Sequence, residues 1–402
     1  MAFRSLTEKV FQRASTSDGM KLSLAAPKHG KSPYQKLATY AIGAVGLFLL
    51  YRLLFAVTPS DAELRAPEPL VSSADLASET ASAEASSGSK LADRIHASIL
   101  GSFVADAFSL SYHWIYEPAD IPNPLPPRLL APRANFHAKK NKGDFTHEGD
   151  QQVILLDNIE QSLHSSREFD VIDYSKRFQE LFVDSYKGWF TQATKQVLSQ
   201  LKNQKDVASV GSSKDDTNPV GRISPLLILS THDEDGFVEN AQRMTAFTHR
   251  APSVVAAAEF FARTLFRTVH GEGRPTVIMT ALLDDPRFAA QAELRTAIKR
   301  GLSSAKAETI PQLKSFGLDC KIVSGAAGAA HLIAKFESSR SLHDMFAANV
   351  GAGGDSSARG MVAGMILAGY HGPSSIPAYA KEMNQFEAVE ASLKHLLNHL
   401  RK

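Results

Sequence analysis

The chain has 402 residues, 44% of them hydrophobic and 21% charged, with a formal net charge of +2. A single cysteine, Cys320, excludes a disulfide framework and any multi-cysteine zinc or iron–sulfur centre. The near-neutral balance argues against a dedicated nucleic-acid binder, and a mean hydropathy of -0.15 excludes a polytopic membrane protein.

Three compositions succeed one another before residue 91. Residues 1–37 form a basic leader, with Arg4, Lys9, Arg13, Lys21, Lys28, Lys31 and Lys36 against Glu8 and Asp18. Residues 38–57, ATYAIGAVGLFLLYRLLFAV, are apolar but for Thr39, two tyrosines and Arg52. About 20 such residues at 1.5 Å rise match the ~30 Å hydrocarbon core, so the pattern predicts one transmembrane helix. Arg52 lies near its end and can snorkel to the interface. A removed targeting segment is the competing reading. Residues 58–90, rich in Ser, Ala, Glu and Pro, predict a disordered linker. Basic residues before the span and acidic ones after it put the N-terminus in the cytosol or matrix, with the main domain on the opposite side. The Arg/Lys and Ser content of the leader leaves a mitochondrial or plastid membrane open.

Residues 91–402 predict one all-α domain. LADRIHASILGSFVADAFSLSYHWIY places Ile95, Ile99, Val104 and Phe108 on one apolar stripe, and six later segments repeat that period. Pro252 opens a helix, and Gly271 and Gly372 follow helix ends. No βαβ rhythm or sustained alternation is present. Residues 117–146 predict a long Pro-rich, then basic loop, in which His137, Lys139, Lys140 and Lys142 read as a solvated cluster or an anion site. Residues 203–218 predict a polar surface loop.

Three local patterns carry chemistry. Asp106 lies in the first long helix of the domain and His113 near its end. Thr146, His147, Glu148 and Asp150 cluster at a helix start, where hydroxyl and carboxylate oxygens can either hold a hard cation or cap the helix. GAGGDSSARG (351–360) opens another helix, where Asp355 reads first as a plain N-cap, with glycines that admit an anion to backbone N–H groups as the alternative.

In this order, the ADA/HW, THEGDQ and GGDSSAR segments resemble the ADP-ribosylglycohydrolase family, over about residues 92–380. The resemblance implies an all-α bundle with a two-magnesium site and hydrolysis of an ADP-ribose bond. Active members carry G-D-A-L-G with a metal-site Glu seven residues after the Asp; Asp106 fits, and His113 takes the Glu position. Against T/S-D-D-T-Q, Gly149, Asp150 and Gln151 are set on D-D-T. Against G-G-D-T-D-T, Gly353, Gly354 and Asp355 are kept, while Ser357 and Ala358 replace Asp and Thr. The resemblance therefore leaves Asp150 and Asp355 as metal ligands and implies a degenerate site. The substitutions are most similar to the J-type crystallin and selenoprotein J branch, whose Cys or selenocysteine position falls on Ser357.

The expected cleft comprises Asp106, His113, Thr146, His147, Glu148, Asp150, Gly353, Gly354, Asp355 and Ser357. The leading expectation is a membrane-tethered protein, inactive as a glycohydrolase, that binds an ADP-ribose-like molecule or serves a structural role, with no cofactor or a single Mg²⁺ or Mn²⁺. An active hydrolase using one metal is the alternative, held by Asp150, Asp355 and one of His113, His147 or Glu148. A scaffold subunit of an organellar membrane complex is the third reading. No nucleic-acid partner is expected.

Overall fold

The structure, a computed structural model, describes residues 73–183 and 185–401. The basic leader, the 38–57 span and the first part of the linker lie outside the described residues. Among the described residues no helix is long and apolar enough to cross a membrane.

The described chain is all-helical. In order its helices are α1 Ser73–Ser109, α2 His147–His164, α3 Val171–Leu181, α4 Gln192–Lys202, α5 Asn218–Gly221, α6 Glu234–Thr248 and α7 Pro252–Val269. They continue with α8 Pro275–Leu283, α9 Ala292–Ser303, α10 Thr309–Phe316, α11 Ile322–Phe336, α12 Leu342–Gly351, α13 Ser356–His371 and α14 Phe386–Leu397. Strand-like pairing among the described residues is confined to two isolated bridges, Ser212 with His249 and Asp216 with Lys321.

Two features differ from expectation. Helix α1 begins at Ser73, inside the stretch expected to be a linker to residue 90. Its first half is rich in Ala, Glu and Ser and free of Pro, so propensity permits a helix that the packed second half continues. The 203–218 loop is not wholly at the surface. Val210, Ser212, Asp216 and Thr217 are buried, with the Ser212 amide donating to the Thr248 carbonyl (2.9 Å) and the Thr217 amide to that of Cys320 (2.7 Å).

Helix α13 runs through the centre. Its first fourteen residues, Ser356 to Gly369, are all buried, as expected of a helix apolar or small on every side. It packs along the second half of α1, where the backbones approach closely. A Cβ at Gly101 would stand 2.5 Å from that of Ala368 and 2.8 Å from the Gly364 carbonyl oxygen. Helices α11, α7 and α12 pack around α13, and α14 and α2 close the other side of α1. This crossing aligns the turn after α1 with the start of α13, which is what builds the site. Gly101→Val forces the two helices apart and is expected to destabilise the fold by about 1–3 kcal/mol, read as a lower denaturant midpoint.

Candidate functional site

Asp106, near the end of α1, accepts from two elements at once. Its Oδ2 takes the Thr146 amide (2.8 Å), and its Oδ1 takes the Thr146 hydroxyl (2.6 Å) and the Ser357 hydroxyl. Thr146 is also the N-cap of α2, accepting the Glu148 amide at 3.2 Å. Its hydroxyl bridges to the Glu148 carboxylate as well. One hydroxyl proton cannot serve two carboxylates, so the arrangement favours an extra proton between them. Burial and the Glu148 charge push Asp106 up to about 7. At Glu148 burial opposes ionisation, but the His147 and His113 imidazoles and the Thr146 hydroxyl outweigh it and hold this carboxyl below the ordinary range. The Glu148 oxygens also face His147 Nδ1 at 2.8 Å and accept from the Asn218 amide. Gly149 is required beside this knot, since any Cβ there would strike Asp106 Oδ2.

His113 lies in the turn after α1, against the double-glycine turn before α13. The Trp114 amide donates to the Gly354 carbonyl (2.9 Å) and the Gly354 amide to that of Ile115 (2.7 Å). Gly353 and Gly354 have φ of +79° and +72°, and a Cβ on Gly353 would meet the Ile115 carbonyl at 2.5 Å. These glycines therefore serve close backbone approach. The anion cradle, the alternative reading of this segment, is not formed, because the amides from Gly353 to Ser357 are each spent inside the protein. Arg359, fully buried, pins the same turn by donating to Asn349 and the Gly353 carbonyl (3.0 Å).

Asp355 is the N-cap residue of α13, yet its side chain makes no capping bond, and both its oxygens are buried without a partner. Burial, then the Glu148 charge, raise its pKa well above the usual carboxylate range despite Arg359. The unpartnered Nε2 of His113 lies 3.9 Å from Asp355 Oδ1. One ligand atom each from His113, Glu148 and Asp355 fall within 4.8 Å of one another, all buried. Orphaned buried polar atoms are uncommon in folded proteins, and here they converge where a cation would satisfy them.

The residues expected to hold a metal are thus revised. Asp355 stands at the cluster, but Glu148 joins it rather than Asp150. Asp150 is taken by Lys140 (2.5 Å) and Tyr186 (2.6 Å), in an ion pair whose side chains are only 8% and 10% exposed. This also corrects the solvated reading for two of the four residues of the basic cluster, since Lys140 is committed and His137 is fully buried, while Lys139 and Lys142 are exposed. His113 fits a cation with one qualification of chemistry. Its Nδ1 accepts the Ser357 amide at 3.3 Å, so ligation through Nε2 would exchange that long bond for the metal.

Around the cluster lie residues that the sequence did not place there. Trp114, at φ +65°, stacks on His137 (centroids 5.1 Å) and lies 4.6 Å from the His113 ring. Phe136 meets Trp114 and Trp189 edge-on at 5.5 Å each, and both outer rings are about half exposed, at 50% and 42%. A path of aromatic faces thus leads from solvent to His113. Neither ring nitrogen of His137 has a partner, and burial drives its pKa down to about 4. On another wall, Asp216 accepts from Cys320 Sγ (3.1 Å) and faces His249 Nε2 (3.4 Å). Burial and Asp216 raise the Cys320 thiol, which leaves no reactive thiolate.

The ADP-ribosylglycohydrolase family matches residues 87–401. Crystallin J1A of Tripedalia cystophora is 22% identical over 308 residues, covering 71% of this chain and 90% of its own. The Escherichia coli (strain K12) protein YegU is 23% identical over 273 residues, covering 62% and 78%. A solved structure titled "ADP-ribosylglycohydrolase-related protein complex" superposes with a TM-score of 0.61 at 20% identity, over 78% of this chain and all of that one.

The revised ligand set has a direct check. Titrating Mn²⁺ into Glu148→Gln is expected to show no high-affinity site, whereas Asp150→Asn retains it. Asp150→Asn is expected instead to lose about 3–5 kcal/mol of stability, because it leaves Lys140 buried without its partner.

Proposed function

The chain belongs to the ADP-ribosylglycohydrolase family, and on that premise we propose that it hydrolyses an ADP-ribosyl bond using one divalent cation in place of two. The observation that supports this is the buried convergence of His113, Glu148 and Asp355, with His113 Nε2 and both Asp355 oxygens lacking partners. Two nearby cations need many anionic ligands to offset their repulsion. Here His113 and Ser357 occupy positions where the active-family motifs carry Glu and Asp, and Asp106 is already committed to Thr146 and Ser357. A bound cation would supply Lewis-acid polarisation of a ligand oxygen. The imidazole in the donor set favours Mn²⁺, Fe²⁺ or Zn²⁺ over Mg²⁺.

The chain's own groups have definable parts. Thr146, His147 and Asn218 hold Glu148 as a fixed negative charge. Arg359 keeps the double-glycine turn rigid beneath Asp355. Phe136 and Trp189, the latter with Lys195 over one face, are the partly exposed rings on which the purine of an ADP-ribosyl ligand can stack.

A second reading, ligand binding without hydrolysis, is favoured by one observation: Ser357 points its hydroxyl into Asp106 instead of offering a carboxylate to the cleft. Incubating the full chain with an ADP-ribosylated peptide and Mn²⁺ or Mg²⁺ separates the two. Release of ADP-ribose that is lost in Glu148→Gln and Asp355→Asn supports hydrolysis. Calorimetric ADP-ribose binding with no release supports the second reading, and neither binding nor release overturns both. Trp189→Ala is expected to weaken ADP-ribose binding by about 1–2 kcal/mol, as loss of a stacking face does.

We further propose that residues 38–57 tether this domain to a membrane, on the hydropathy and charge asymmetry of the sequence. On this reading the main domain lies on the side opposite the N-terminus, with a mitochondrial or plastid membrane open. The full chain is expected to resist carbonate extraction, and a chain beginning at Ser73 to be released.

A further inference from the structure

The C-terminal ends of α7, α11 and α13 meet around a second cavity, of about 520 Å³, whose lining shares no residue with the cleft. Arg94, Arg274, Arg340, Glu337, Tyr370 and His371 line it. Three guanidiniums therefore face one carboxylate. That carboxylate is fully spent: Glu337, 2% exposed, accepts the Thr276 amide (2.7 Å) and hydroxyl (2.8 Å) on Oε1 and Arg274 Nε (2.7 Å) and Nη2 on Oε2. Arg274 is thereby held in one orientation with its Nη1 unspent. Arg94 gives Nη1 to the Val269 carbonyl (3.2 Å), where a cation offsets the negative end of α7. This accounts for Arg94 structurally but not for the others. The exposed Arg340 side chain enters no ion pair or hydrogen bond among the described residues. At Gly372 (φ +77°) nothing stands within 4 Å of a Cβ position, so the floor is open.

We propose that this cavity is a binding site for a phosphate-bearing anion, held by Arg340 and the outer edge of Arg274. The three guanidiniums exceed the one carboxylate by two charges, which the negative helix ends offset in part, and the remainder favours an anion. Guanidinium forks bind phosphate oxygens in pairs, and the buried Glu337 pre-orders one of the forks. The volume falls in the range of small-molecule sites. The site is independent of the cleft and stands whether or not the cleft is hydrolytic.

Calorimetry of the full chain with pyrophosphate, in EDTA so that no cation bridges the anion to the cleft, tests this. Saturable binding is expected, weakened about tenfold in Arg340→Gln, the loss of one charge-assisted contact. Arg340 is exposed and unbonded, so the variant is expected to keep the thermal midpoint of the parent. Asp355→Asn is expected to leave the affinity unchanged. Absence of pyrophosphate binding, equal binding by Arg340→Gln, loss in Asp355→Asn instead, or succinate binding as tightly as pyrophosphate would each overturn the assignment.

Discussion

The site rests on a buried carboxylate, Asp106, that accepts hydrogen bonds from two other segments of the chain. Thr146 and Ser357 come from points 40 and 251 residues further along the sequence. Both are N-terminal to or within the first turn of their helices, so fixing them fixes the entry angles of α2 and α13. Any side chain at 149 would collide with Asp106, and any Cβ at 101 would part α1 from α13. Small residues and one carboxylate thus define where the helix starts meet. The packing that stabilises the fold and the geometry that assembles the cleft are consequently one constraint.

Charge balance then decides what the cleft can hold. Asp106, Glu148 and Asp355 are all nearly inaccessible, and three bare carboxylates in so small a volume would repel strongly at low dielectric. The knot distributes that strain unevenly. Glu148 gathers imidazoles and amide donors and stays ionised, while Asp106 and Asp355 are pushed toward the protonated form. Only Asp355 among them has no internal donor, so it is the carboxylate whose state an incoming cation would change most.

The fold was readable because helical periodicity and Gly/Pro punctuation depend on local sequence. The order of motifs was readable for the same reason. The ligand register was not, and the cause is geometric. Glu148 and Asp150 are two residues apart on α2, about 200° around its axis, so only one can face the cleft. Sequence spacing alone does not say which. The decision comes from Thr146, whose N-cap position and bond to Asp106 turn Glu148 inward and leave Asp150 to Lys140 and Tyr186. Likewise Asp355 has the composition of a capping residue, and only the structure reveals its oxygens to be unspent. The linker assignment erred through composition: Ser, Ala and Glu without aromatics cannot form a core, but they can extend a helix already nucleated by one.

Replacing a carboxylate by His113 alters more than the ligand count. A neutral imidazole removes one negative charge from the cleft, and with Ser357 in place of an acid a second is gone. What remains, Glu148 and Asp355, is a charge of −2 when both are ionised, which one divalent cation neutralises. A second ion would leave the dry interior with an uncompensated positive excess, a condition as costly as the repulsion it would relieve. The substitutions read as erosion when counted against a two-ion site. Counted against a one-ion site they are balanced, and the same balance governs His113 itself: its Nε2 can turn to a cation only as the ring gives up the long bond from Ser357.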